Sequence, residues 1–331
     1  MRILLISPQT YNYHKVLQSA CFSSGIDFVW LDERPYANPF FKIFSRKFNH
    51  LARHLSRKFY IRKIINLSAS GFSPSHVLLI KGEAIHPSVI SCMRAAFPSA
   101  RFILYFWDSI INLPGFASIS HLFDATLTFD YNDSLEQGWK YFPLFAGNHF
   151  LHSNPCLDSP ATPLPSYDWS FVGVIHSDRI LVIDKLCRLS SSQRKYFIFL
   201  YAPSIFHLVF HSIRQPLAFM RLKKYIHMNT LDPELLSDIY AESRCVLDIH
   251  HPCQTGVTMR TVEALLSGKK VATTNVNALN LSISDSSRIS VIDRARPTVS
   301  SKFIFSHVSP ISQDLSSQYY PGNWLLRLLA H

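Results

Sequence analysis

The sequence is short of several things, and each shortage narrows what the chain can be. It has no uninterrupted apolar run of about 18 residues, the least that a membrane-spanning helix needs. The nearest stretch, 205–220, is broken by His207, His211 and Arg214, so a soluble or peripheral protein is expected. The six cysteines, Cys21, Cys92, Cys156, Cys187, Cys245 and Cys253, are scattered, with no CxxC pair and no His/Cys ligand spacing. They read as reduced thiols of a cytoplasmic protein rather than as a zinc site or a disulfide framework. The opening MRILLISP has no cationic stretch before its apolar run, and that run is too short for a signal sequence, so a first strand is expected there. Acid is missing from one long segment. Residues 34–82 hold ten Lys/Arg and no Asp or Glu, which accounts for nearly all of the net charge of +11.

What is present is globular: 331 residues, 47% hydrophobic and 17% charged, past the length at which one core usually keeps growing, so two domains are expected. Over residues 1–145, strand-like runs at 3–6, 28–32, 77–80, 102–106 and 125–129 alternate with helical spacing at 15–24, 39–66 and 87–97. That alternation predicts a doubly wound, mostly parallel α/β sheet. Ligands of open α/β sheets sit at the carboxyl ends of strands, which singles out Glu83, Asp108 and Asp130. In 39–66, Phe41, Phe44, Phe48, Leu51, Leu55 and Phe59 recur at spacings of three and four with basic residues between them. The apolar stripe is expected to face inward and the basic face, through residues 42–63, to meet an anionic lipid surface or an anionic acceptor. A Pro-rich linker at 148–166 precedes strands at 169–174 and 196–201 and helices at 178–189, 204–224 (broken at Pro216) and 231–241. Strand 289–292 and a terminal helix over 313–329, interrupted at Pro321 and Gly322, complete the pattern.

The segment 245–275, CVLDIHHPCQTGVTMRTVEALLSGKKVATTN, reads as strand, loop, helix, strand. Thr255 and Thr258 are candidate N-caps. The loop amides beside Gly256 would sit at a helix N-terminus, where unsatisfied N–H groups and the helix dipole favour an anion such as a diphosphate. Arg260 falls in the first turn. Glu263, three residues on, projects from the same face, so a guanidinium for phosphate and a carboxylate for ribose hydroxyls stand side by side; the alternative is a surface ion pair between the two. Gly268 ends the helix. His250 and His251 alternate across the strand end, so at most one faces such a ligand.

TGVTMRTVEALLSGKKVATTN resembles the nucleotide-sugar site of GT-B glycosyltransferases, and more narrowly that of bacterial lipopolysaccharide and capsule biosynthesis enzymes. LLIKGEAI, FILYFWDSI and ATLTFDYND are similar to their counterparts in the same group. The resemblance implies two Rossmann-like domains with a cleft between them: an acceptor-binding domain 1–147, a linker 148–166, a nucleotide-sugar-binding domain 167–312, and a C-terminal helix in 313–331 crossing back to the first domain. It implies that the turn 173–177, with Gly173, His176 and Ser177, approaches the donor diphosphate, joined by Arg179 and by Thr255, Gly256, Thr258, Arg260 and Glu263. The Gly-rich loop that many such proteins carry after the first strand is absent here.

The implied activity is a metal-independent glycosyl (hexosyl or similar) transfer from a nucleotide sugar to a hydroxyl of a lipid-linked or glycan acceptor. No cofactor is implied beyond that donor substrate, and the setting is cytoplasmic, on the inner face of the plasma membrane. The chain has no suitably placed DxD motif, which argues against the metal-dependent GT-A class. Thr255 stands where retaining GT-B enzymes with paired glutamates carry the first acid, so only Glu263 matches that pattern. An inverting reaction needs a base for the acceptor hydroxyl, and Asp108, then Glu83, then Asp130 are the candidates, each equally readable as a cap or a structural hydrogen-bond partner. Two rivals stay open. One is a non-catalytic nucleotide-sugar-binding protein of the same fold. The other is a nucleic-acid-binding protein, suggested by a pI near 9.4 but unsupported by any nucleic-acid motif, so that no nucleic-acid partner is expected.

Overall fold

The computed structural model describes the protein except at residues 10–12, 35–48, 114, 116, 151–164 and 191–192. The Phe41, Phe44 and Phe48 part of the basic helix and most of the Pro-rich linker lie outside the described residues. The chain divides into two compact units, Met1–Pro143 with Pro321–His331, and Leu144–Tyr320.

In chain order the first unit contains β1 (Arg2–Ser7), α1 (Tyr13–Ser23), β2 (Asp27–Asp32), α2 (Asn49–Ala69), β3 (His76–Ile80), α3 (Pro87–Ala96), β4 (Arg101–Phe106), β5 (Ala125–Thr128), α4 (Tyr131–Gln137) and β6 (Lys140–Tyr141). The second contains β7 (Tyr167–Val174), α5 (Arg179–Leu189), β8 (Tyr196–Tyr201), α6 (Ile205–Arg214), α7 (Pro216–Leu222), β9 (Ile226–His227), α8 (Pro233–Ala241), β10 (Ser243–Asp248), α9 (Met259–Leu266), β11 (Lys270–Thr273), β12 (Ile289–Val291), α10 (Ser301–Phe305) and α11 (Gln313–Ser317). The last helix, α12 (Pro321–Leu329), belongs to the first unit. Pro321 therefore begins a helix rather than interrupting one, which its fixed φ and missing N–H allow.

Among the described residues each unit holds a six-stranded sheet whose neighbouring strands all run parallel, in the orders β2-β1-β3-β4-β5-β6 and β12-β11-β10-β7-β8-β9. The central strands are apolar on both faces because helices cover both: Ile3 to Ile6, Val77 to Ile80 and Phe102 to Phe106 are all buried. In the first sheet the chain leaves β1 for β2 on one side and then β3 on the other. In the second it leaves β7 for β8 and β9 and then crosses to β10. Each reversal opens a crevice at the carboxyl ends, between β1 and β3 and between β7 and β10.

One expectation is corrected. The described part of the apolar stripe on α2 faces outward: Leu51, Leu55 and Phe59 are 51%, 53% and 37% exposed, beside Arg57, Lys58, Arg62 and Lys63. The buried face is Ala52, Ser56, Tyr60 and Ile64, one residue round the helix. Polar bonds hold that face: Ser56 Oγ donates to Ala84 O at 3.0 Å, Tyr60 Oη to Asp32 O at 2.7 Å, and buried Arg53 Nε to Glu83 O at 3.3 Å.

Candidate functional site

In the second unit the crevice between β7 and β10 is lined by two arginines reaching it from different helices. Arg260, in the first turn of α9, donates from Nε to Val172 O at 2.8 Å and from Nη1 to Asp248 Oδ1 at 2.7 Å. Arg179, at the start of α5, donates from Nε to Ile249 O at 2.9 Å and from Nη1 to Val174 O at 2.7 Å, tying the ends of β7 and β10 together. Both guanidiniums lie over the Phe171 ring, at 5.3 and 5.5 Å. Gly173 is what lets them meet. A methyl group on its α-carbon would lie 2.7 Å from Arg260 Nη2 and 3.2 Å from Arg179 Nη1. The close approach that this glycine permits is thus to the arginines of its own chain.

Asp248, with no exposed surface, is held by Arg260 and by Thr261 Oγ1 at 2.8 Å to its Oδ2. Burial alone would raise its pKa, but Arg260, Thr261 and Arg179 reverse that and keep the carboxyl below its usual range. Burial likewise works against the Arg260 charge, and Asp248 and Tyr240 more than offset it, so the pKa is raised. The alternative of a surface ion pair between Arg260 and Glu263 is not what the structure shows: the carboxylate that Arg260 holds is buried Asp248 on β10. Glu263 instead accepts the Gly147 N–H, and its pKa is pushed up to about 7 by burial against the pull of that amide and of Arg260.

The turn after β7 carries His176 and Ser177. Ser177 has φ of 49°, in the left-handed region that costs a residue with a Cβ, and its carbonyl accepts from Gln215 Nε2 at 3.0 Å. His176 Nδ1 lies 3.0 Å from Ser177 Oγ, and its ring is 5.4 Å from that of His251. Burial first, then Arg179, His251, Arg260 and His211, hold the His176 imidazole down to about 2, so it is neutral. Burial and Arg294 hold His250 at about 4 against the pull of Asp248, and its Nδ1 lies 2.7 Å from Thr274 Oγ1. Arg294 donates to His250 O at 2.7 Å and to Asp178 Oδ1 at 2.6 Å, adding a third cation at these strand ends.

The loop before α9 is pinned from below. Buried Asn275 donates from Nδ2 to Thr255 O and Gly256 O, both at 3.0 Å, and Asn277 to Thr255 O at 3.3 Å. Thr258, not Thr255, is the N-cap residue of α9, but its buried hydroxyl makes no capping bond and has no hydrogen-bond partner among the described residues. The N-cap side chain thus supplies no acceptor to the helix N-terminus. Lys269, just before β11, is at the amino ends of the strands, buried and donating to Ala241 O at 2.7 Å.

In the first unit the three acids named from sequence have different fates. Asp130 is 1% exposed and caps α4, accepting from the Asn132 and Asp133 amides. Glu83 is 5% exposed and paired with Arg34 at 3.2 Å and Lys81 at 3.3 Å; burial opposes ionisation, but those two cations hold its pKa down. Asp108 keeps 26% side-chain exposure, paired with Lys81 at 3.3 Å and accepting from Asn112 Nδ2 at 3.0 Å. Below them is Glu33, which sequence reading passed over. It has no exposed surface, and its Oε2 accepts the Gly82 and Glu83 amides at 2.7 and 3.0 Å across a turn in which Lys81 and Gly82 have φ of 70° and 76°. Burial pushes its carboxyl up to about 7 against Lys81 and Arg34. His14 was missed as well: buried, stacked on Trp30 at 4.1 Å, with its pKa lowered by burial and Lys15. Among the described residues no three His, Cys, Asp or Glu side chains gather as metal ligands, and no helix is long and apolar enough to cross a membrane.

No family model matches the sequence, and no curated protein matches it. Solved structures do. The crystal structure of Anabaena Alr3699/HepE in complex with UDP and glucose superposes with a TM-score of 0.62 at 10% identity, covering 100% of this chain and 99% of that one. The chain has the two-domain GT-B fold. An alpha-glucosyltransferase in complex with UDP and a mismatched 13-mer DNA gives 0.57 at 11% identity, over 99% of this chain and 95% of that one. A glycosyltransferase from Rickettsia africae gives 0.51 at 12% identity, over 99% and 93%. In this GT-B chain the residues missed from sequence are those that hold others in place: Asp248, Asn275, Arg294 and Glu33. Asp248 and Glu33 do end or follow strands, a signal applied to Glu83, Asp108 and Asp130 but not to them.

Proposed function

We propose that the protein is a glycosyltransferase that moves a sugar from a nucleoside diphosphate sugar, with UDP as its nucleotide, to a hydroxyl of a lipopolysaccharide or other cell-surface glycan. The observation that carries this is the pair Arg260 and Arg179 packed against Gly173 at the β7/β10 crevice, beside an α9 N-terminus without a side-chain cap. Structures with UDP bound among those that share the fold support the choice of nucleotide. The leaving diphosphate gains most of the negative charge at the transition state. Preformed cations and helix amides meet that charge without reorganising, which is why no metal is invoked. Neutral His176 and His250 can donate or accept a hydrogen bond there without adding charge.

Asp108 is the proposed acceptor base, because Glu83 is locked between two cations and Asp130 is a cap. Glu263 and the turn 173–177 are proposed donor contacts. The basic face of α2 is proposed to meet an anionic surface that presents the acceptor. The second reading, a non-catalytic nucleotide-sugar-binding protein, draws on Asp108 being itself paired with Lys81. Incubation with a panel of nucleotide sugars separates the two. Slow release of nucleoside diphosphate from one donor, reduced roughly 100-fold or more in acceptor-dependent turnover by Asp108→Asn, supports transfer. Binding without any release supports the second reading.

A further inference from the structure

The α6–α7 hairpin of the second unit wears its amphipathicity inside out. Phe206, Phe210, Ile213, Leu217 and Met220 are 84%, 53%, 76%, 66% and 65% exposed, and Ile205 is 64% exposed. They follow one another at spacings of three and four along two helices joined at Gln215–Pro216. The inward side is thin: His211, Ala218 and Leu222 are the buried residues of these helices. A globular helix normally turns such residues to the core, and exposed patches of large apolar side chains mark interaction surfaces.

The charge of the segment that carries the patch has one sign. From residue 185 to residue 231 there are eight Lys/Arg and no Asp or Glu. Arg214, Lys223 and Lys224 are exposed next to the apolar face, while Arg221 is engaged with Asp184 at 2.6 Å. Arg214 lies over the Phe210 ring at 5.7 Å, so cation and apolar anchor occupy the same spot.

We propose that the α6–α7 face inserts into the headgroup boundary of an anionic lipid bilayer, with Phe206, Phe210, Ile213 and Leu217 as apolar anchors and Arg214, Lys223 and Lys224 on the headgroups. Large apolar residues bordered by Lys/Arg without acid are the composition of an interfacial helix. A second copy of the chain fits poorly, because a twofold contact sets each patch against itself and brings basic rims together with no acid in the segment to answer them. This surface lies wholly within the second unit, distinct from the basic face of α2, and it does not depend on the donor reading.

Vesicle flotation of the full chain tests it, with phosphatidylcholine alone and with phosphatidylcholine containing phosphatidylglycerol. The wild type floats with the anionic vesicles and not the neutral ones. Phe206→Ser/Phe210→Ser floats at least tenfold less while its thermal melt and its UDP titration match the wild type; Lys223→Glu/Lys224→Glu, which leaves the anchors and α2 intact, weakens the preference for anionic lipid severalfold. Wild-type behaviour by the serine variant, with α2 intact, overturns the proposal, as does failure of the wild type to float. A wild-type dimer in sedimentation equilibrium that the serine variant splits assigns the face to self-association and overturns it too.

Discussion

The two units place a polar cluster at the same topological position, the carboxyl ends where the strand order reverses, and fill it in opposite ways. At the β7/β10 crevice the two arginines outnumber the carboxylate paired with them: Arg179 is spent on carbonyls and Arg260 on one carboxylate and one carbonyl, beside neutral histidines. At the β1/β3 crevice acids and cations interlock, with Lys81 between Glu83 and Asp108 and Arg34 on Glu83. Topology chooses the place for a ligand, and side-chain charge chooses which ligand. The crevice of the second unit thus carries unbalanced positive charge, which is the basis for proposing an anionic ligand there. In the first, Lys81 bridges Glu83 and Asp108 above buried Glu33, so charge is met by charge.

The largest effect expected from breaking this contrast is at Arg260. Arg260→Ala leaves Asp248 buried and unpaired, a loss of about 3–5 kcal/mol of stability, readable by urea unfolding. Next is Glu33. Its folded pKa of about 7 lies above the unfolded value near 4.5, so the folded state binds the extra proton and stability falls as pH rises through that window. Glu33→Gln should flatten that fall by up to about 3 kcal/mol, seen as urea midpoints that no longer drop between the two pH values; an unchanged slope refutes the assignment. Gly173→Ala should cost about 1–3 kcal/mol, because its methyl group displaces both guanidiniums; a neutral effect on the melt contradicts the packing described. Smallest is Asp130→Ala, about 1 kcal/mol for a lost helix cap, with acceptor-dependent turnover unchanged.

The strands were legible because parallel strands buried on both faces are continuous apolar runs, and 77–80, 102–106 and 196–201 read as such. The two-residue β6 and β9 are too short to carry a pattern. The α2 stripe misled because spacing reports which residues share a face, not which face is buried. Arg53 and Ser56 make the inner face polar, and only tertiary bonds to Ala84 and Glu83 reveal it. Arg260 was legible from its place in the first turn after a glycine-containing loop. Its tie to Asp248 was not, because the two come together only when β10 and α9 pack. Arg294 is further still from its partners, Asp178 and His250, and no local pattern announces it.

The central claim is that the β7/β10 crevice binds a nucleoside diphosphate through Arg260. Isothermal titration of the full chain with UDP tests it most directly. The account predicts saturable binding with a Kd below about 1 mM, weakened at least tenfold in a folded Arg260→Lys variant that keeps the charge but loses the fork. No heat of binding with UDP, GDP or CDP at millimolar concentration, or equal affinity in the lysine variant, would contradict it.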